Sequence, residues 1–181
     1  MTRPGELGDV LISEAEIRAM IRRIADEISN DYAGREVLLV GVLKGAFMFM
    51  ADLVRELKVA SQVDFMAVSS YGKETKSSGV VRILKDLDED ITGRHVIIVE
   101  DIIDSGLTWS KLRELLLTRG PASLALCAAF DKPSRRKVAN LKVDYTGLEI
   151  PDAFIVGYGL DYQGFYRDLP DVRTLRLEAE N

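Results

Sequence analysis

The run "VIIV" at residues 96–99 passes directly into two acids, Glu100 and Asp101, and then through "IIDSGLT" into a helix-like segment. Successive strand side chains point to opposite faces, so an unbroken apolar strand needs cover on both sides. That requirement places the run inside a parallel sheet between two layers of helix. The same pattern recurs along the chain. "REVLLVGVL" reads as a buried strand, and "GAFMFMADLVREL" follows it with Phe47, Met50, Leu53, Val54 and Leu57 at helical spacing. "TWSKLRELLLTRG" is a helix stopped by Gly120, and "ASLALCAAF" is the strand after it. "QVDFMAVSS" and "VVRILKDL" read as further strands, with shorter ones near Val143 and over 153–157. "SEAEIRAMIRRIADEISNDY" opens with a capping box of Ser13 and Glu16 and carries Ile17, Ile21, Ile24 and Ile28 on one stripe. Strands alternating with helices predict an α/β fold: a mostly parallel twisted sheet flanked by helices. Its ligand would lie beyond the carboxyl ends of the strands.

The informative residues fall at those ends. The strand over 96–99 ends at Glu100 and Asp101, and Asp104, Ser105, Gly106, Leu107 and Thr108 turn the chain into the next helix. Small residues let backbone N–H groups converge on one point, two hydroxyls add to them, and the helix start favours negative charge. The combination is a phosphate cradle. It is not a Walker loop, since the lysine-bearing pattern is absent. The nearest dinucleotide fingerprint, "GYGLDYQG", has Tyr162 where the third glycine belongs and no helix pattern after it. An acid pair beside a monophosphate pocket suits a sugar diol or a hard cation such as Mg²⁺. A ribose 5-phosphate has both features. Consecutive strand residues face opposite ways, so both acids reach one diol only if the strand curves there.

With 181 residues and no linker-like boundary, one domain is expected over 1–181. A net charge of -5 argues against a general nucleic-acid binder. No apolar run approaches the ~18 residues a membrane span needs, and "MTRPGELGDV" lacks the apolar centre of a signal peptide. A cytoplasmic setting is expected. The one cysteine, Cys127, sits in an apolar run and reads as core packing. The one histidine, His95, has no second His or Cys with which to share a metal and reads as structural.

"VIIVEDIIDSGLT" closely resembles the ribose-phosphate signature of the phosphoribosyltransferases. Around it "LKGAFMF", "SSYG", "FDKP" and "PDAFIVGYGLDYQGFYRDLP" are similar to the 6-oxopurine, hypoxanthine-guanine branch of that family, in that family's order, over roughly residues 36–172. The resemblance implies the type I phosphoribosyltransferase fold, with a hood over about 131–181 plus the N-terminal segment, and a lid loop over about 69–79. It implies transfer of the 5-phosphoribosyl group from phosphoribosyl pyrophosphate to hypoxanthine or guanine, with Mg²⁺, giving IMP or GMP and pyrophosphate. A homo-oligomer, dimer or tetramer, is implied too; the charge and the lack of a long apolar run set the expectation of neither nucleic acid nor membrane as partner.

Residue by residue, the resemblance assigns Lys44, Gly45 and Arg167 to the pyrophosphate. It assigns Ser105, Gly106, Leu107 and Thr108 to the 5-phosphate, and Glu100 and Asp101 to the ribose and metal. Asp104 matches the general base that takes the purine N7 proton; shielding of positive charge on the sugar ring is the other role open to it. Lys132 matches the donor to the 6-oxo group, Phe154 the stacking ring, and Ile155 the backbone reader of the base edge. Asp161 matches a residue of the base side and a second metal ligand. Ser70 and Tyr71 match the lid pair that excludes water from the cationic ribose. Two other functions fit the same residues: a xanthine-preferring transferase, and a non-catalytic regulator that binds nucleotides or RNA.

Overall fold

The computed structural model describes residues 3–70 and 81–177. The chain runs β1 (Glu6–Ile12), α1 (Glu14–Asp31), β2 (Val37–Leu43), α2 (Phe47–Glu56), β3 (Ser61–Ser70), β4 (Val81–Lys85), β5 (His95–Ile103), α3 (Leu107–Leu117), β6 (Ser123–Asp131), β7 (Tyr145–Glu149), β8 (Ile155–Val156) and β9 (Val172–Arg176). Six strands form one sheet in the order β4-β3-β2-β5-β6-β7. Every pair in it is parallel except the edge pair of β3 and β4. Among the described residues, no helix is long and apolar enough to cross a membrane.

The predicted helix caps and stripes form. Ser13 Oγ accepts from the Glu16 amide at 3.3 Å, and Glu16 Oε2 accepts from the Ser13 amide at 2.8 Å, so two amides at the start of α1 are satisfied. Ile17, Ile21, Ile24 and Ile28 are all buried. They pack with Phe49, Met50 and Leu53 of α2 on one face of the sheet, where Ile97, Val99 and the buried Cys127 meet them. Trp109, Leu112 and Leu116 of α3 cover the other face, against Val96, Ile98 and Leu126. Both faces of β5 are therefore dry.

The topology puts a crevice at the carboxyl end of the sheet's centre. From β2 the chain crosses by α2 to β3 on one side; from β5 it crosses by α3 to β6 on the other. β2 and β5 are neighbours, so the two crossovers leave in opposite directions from adjacent strand ends. The loop after β2 carries Lys44 and Gly45, and the loop after β5 carries residues 104–106.

Two elements depart from the sequence reading. The strand expected to stop at residue 99 continues to Ile103, because its ladder with β6 goes on through Glu100↔Ala128, Ile102↔Phe130 and Ile103↔Asp131. Charge alone did not end it. A second, three-stranded antiparallel sheet, in the order β1-β9-β8, joins the two ends of the chain. Its strands β1 and β9 have no sustained apolar run to announce them.

Leu53 is fully buried between α2 and the sheet, whereas Leu84 on the edge strand is 62% exposed. Leu53→Ala should lower the unfolding free energy by about 2–5 kcal/mol in urea titrations. Leu84→Ala should stay within about 0.5 kcal/mol.

Candidate active site

The phosphate loop is built from the end of β5. Gly106 caps α3 with φ +79, a left-handed conformation that favours glycine. A Cβ there would also lie 2.3 Å from Leu141 Cδ1. Among the described residues, nothing accepts a hydrogen bond from the amides of Ser105, Gly106 or Thr108. The Leu107 amide is turned instead to Ser105 Oγ, at 3.4 Å. Ser105, Gly106 and Thr108 line a hollow of about 160 Å³ together with Val42, Glu100, Asp104 and Trp109. Free amides at a helix start, on residues that line a hollow, suit an anion.

The two acids diverge. Glu100 faces this hollow on the α3 side and is 7% exposed. Asp101 turns to the α2 side, so close to Gly45 that a Cβ on that glycine would lie 1.5 Å from Asp101 Oδ2. The two carboxylates are thus set against different neighbours, Glu100 against the hollow and Asp101 against Gly45. Burial raises Glu100 well above the usual carboxylate range, and the neighbouring charge of Asp101 adds to the effect. Burial also raises Asp101, to about 6, against the pull of the Ile102 amide at 2.7 Å and of Arg167.

Asp101 belongs to a second cluster. Lys44 is exposed, and the Leu43-Lys44 peptide before it is cis. A Cβ on Gly159 would lie 2.2 Å from the Gly45 carbonyl oxygen, so the loop after β8 rests directly on the loop after β2. Arg167 Nη1 donates to the Gly159 carbonyl at 2.5 Å, and its Nη2 lies 2.6 Å from Asp161 Oδ1. Asp161 Oδ2 accepts from the Gly164 amide at 2.7 Å. Lys44, Gly45, Asp101, Asp161 and Arg167 are brought together by these approaches. Among the described residues, no group of three or more His, Cys, Asp or Glu side chains is placed to hold a metal ion. Glu100, Asp101 and Asp161 therefore form no ready-made cage, since Glu100 lies across the strand and Asp161 is held by Arg167.

A third cluster surrounds Lys132. It is buried, and its ammonium donates to the Ala153 carbonyl at 2.6 Å, which sets it beside Phe154 and Ile155. Phe154 is 45% exposed, with its ring meeting Tyr162 edge to face at 5.5 Å. The Leu175 amide bonds the Phe154 carbonyl. Alternation along that antiparallel pair turns the N–H and C=O of Ile155 to the outer edge of the small sheet, where β8 has no neighbour among the described residues. Asp104 Oδ1 is buried without an aligned donor, although Arg135 Nε lies 3.1 Å away. Ser70 ends β3, and Tyr71 with the rest of the expected lid lies outside the described residues.

Sequence reasoning missed Asp131, Arg135 and Arg136. Arg135 pairs with both Asp104 and Asp152, and Arg136 with Asp131. Asp131 lies in the matched segment "FDKP" without a role assigned to it, and the signal for the two arginines was the charged run "DKPSRRK", which by composition reads as a solvated turn. A larger cavity, about 450 Å³, lies between α1, α2 and residues 168–170, away from these three clusters.

Residues 11–163 match the model of the phosphoribosyl transferase domain. Hypoxanthine phosphoribosyltransferase of Escherichia coli K12 is 56% identical over 174 residues, spanning 95% of this chain and 97% of its own. Hypoxanthine-guanine phosphoribosyltransferase of Mycobacterium tuberculosis H37Rv is 51% identical over 178 residues, spanning 95% and 88%. A crystal structure of a hypoxanthine-guanine phosphoribosyltransferase from Bacillus anthracis, with HEPES in its active site, superposes with a TM-score of 0.90 at 46% identity and covers 94% of this chain and 99% of that one. Identity at this level over nearly the whole length, on the same fold, makes the chain a member of the phosphoribosyltransferase family.

Proposed function

We propose that this enzyme transfers the 5-phosphoribosyl group of phosphoribosyl pyrophosphate to hypoxanthine or guanine, forming IMP or GMP and releasing pyrophosphate. One observation carries the reading: the unpaired amides of Ser105, Gly106 and Thr108 at the start of α3, in a hollow shared with Glu100. Three N–H groups and a helix dipole suit a phosphate monoester. Glu100 takes a ribose hydroxyl in this reading. The pyrophosphate goes to the other side of β5, where Lys44 and Arg167 carry positive charge beside Gly45. The ribose then straddles the carboxyl end of β5.

The bond from C1 to pyrophosphate breaks with little push from the nucleophile, so positive charge develops on the sugar ring. Asp104 serves the attack of N9 by accepting the N7 proton; its Oδ1 is buried without an aligned donor and lies 3.1 Å from Arg135 Nε. Lys132 spends one donor on Ala153 and has others for the 6-oxo group. An ammonium donates and cannot accept, so it favours 6-oxo over 6-amino bases. Phe154 stacks on the base, and the outward backbone of Ile155 reads its edge. Ser70 and Tyr71 exclude water in this reading, and residues 131–181 with the N-terminal strand act as the hood.

Mg²⁺ belongs to the same reading. Such ions accept one or two carboxylates each, with the balance from phosphate and water, so Glu100, Asp101 and Asp161 would hold them without a full protein cage. When bound, the metal would neutralise charge on the departing pyrophosphate. A cytoplasmic homo-oligomer completes the proposal.

Incubation with Mg²⁺, phosphoribosyl pyrophosphate and each of hypoxanthine, guanine, xanthine and adenine tests it. IMP and GMP should form and AMP should not; absence of nucleotide from either 6-oxopurine would sink the reading. Lys132→Met should lower kcat/KM for hypoxanthine by about 10–100-fold, the loss of a charge-assisted hydrogen bond. The raised acid of Asp101 gives a pH signature. Without metal, the folded state holds this proton more tightly than the unfolded chain, whose carboxyl titrates near 3.8. The stabilisation is complete below about pH 4 and is lost as pH rises to about 6. Asp101→Asn should flatten part of that slope in urea midpoints measured across this range, with Glu100 supplying the remainder.

A further inference from the structure

We infer that Arg136 is a positioning residue that aims the amides of the phosphate loop, by gripping the back of that loop from the turn that follows β6. The inference rests on the phosphoribosyl reading of the hollow beside Glu100.

The chain places a guanidinium where little water reaches it. The Arg136 side chain is 17% exposed and the Asp131 side chain 8%. Arg136 Nη2 donates to Asp131 Oδ1 at 2.5 Å, and Nη1 donates to the main-chain carbonyl of Asp104 at 3.2 Å. The next residue continues the contact, since the Lys137 amide donates to the Ser105 carbonyl at 2.9 Å. Arg136 Cδ also lies 3.4 Å from where a Cβ on Gly106 would stand, so its stem supports the loop from behind.

Peptide geometry turns these contacts into a function. In a trans peptide unit the C=O and the N–H point in opposite directions. The Asp104 carbonyl shares its unit with the Ser105 amide, and the Ser105 carbonyl shares its unit with the Gly106 amide. Holding both carbonyls back against Arg136 and Lys137 therefore drives both amides forward, into the hollow. These are two of the three unpaired amides that define the anion site. Asp131, held in register opposite Ile103, fixes where the guanidinium sits. A planar fork can span Asp131 and the Asp104 carbonyl at once; a lysine has one nitrogen and reaches only one of them.

That difference makes Arg136→Lys the decisive variant, because it keeps a cation beside the buried Asp131. Arg136→Met strips that counter-charge, so it reports on stability. For Arg136→Lys, the KM for phosphoribosyl pyrophosphate and the calorimetric Kd for IMP should each rise about tenfold. The KM for hypoxanthine and the Kd for magnesium pyrophosphate should stay within about twofold, and the melting temperature within about 3 °C. An unchanged Kd for IMP would overturn the role of Arg136 and leave the transferase reading intact. An equal weakening of IMP and pyrophosphate, or a raised KM for hypoxanthine, would overturn it too, by showing a general structural role. If the wild-type protein binds neither IMP nor pyrophosphate, the reading of the site fails and this inference with it.

Discussion

A strand buried on both faces that ends in carboxylates is the constraint on which the rest of the molecule depends. β5 is dry from Val96 to Val99 because α1 and α2 cover one side and α3 the other. The next two residues carry acids into the same surroundings, and desolvation raises both. A fold does not accept such groups for stability's sake. They are held because the core beside them is large enough to oppose their desolvation, and because their alternation on the pleat delivers one carboxylate to each side of the central strand.

The two sides then acquire different chemistry from different neighbours. On the α3 side the chain supplies dipoles: unpaired amides and hydroxyls at a helix start. On the α2 side it supplies whole charges, with Arg167 set against Asp161 and Lys44 exposed beside Gly45. Glycine at 45 and 159 is what allows the second arrangement. At either position a Cβ would strike a carboxylate or a carbonyl, and the three segments could not meet. The small sheet of β1, β9 and β8 holds the third of these segments in place, and Tyr158 ties it to α2 through a 2.8 Å hydrogen bond to Asp52.

Much of this was legible from local signals. Apolar runs gave the central strands, helical spacing and a capping box gave α1, and the small-residue turn after Asp104 marked the anion site. Strands β1 and β9 were not legible, because each is stabilised by pairing with a segment more than a hundred residues away rather than by its own pattern. The divergence of Glu100 and Asp101 was foreseeable from the pleat, yet whether β5 would bend depended on its ladder with β6. Arg136 was invisible for a related reason: in the chain it belongs to a charged turn, and only the return of that turn behind the phosphate loop buries it.

The amino-acid sequence by itself determined the alternation of buried strand and covering helix, the residue types at each strand end, and the place where backbone amides would be left free. These follow from periodicity, conformational preference and the unmet hydrogen bonds of a helix start, all of which act over a few neighbouring residues. Tertiary structure alone decided which face each acid took, which carbonyls the phosphate loop turned away, and which distant arginines and glycines completed the pockets. Those outcomes depend on close approach between segments far apart in the chain, and sequence spacing carries no distance between them.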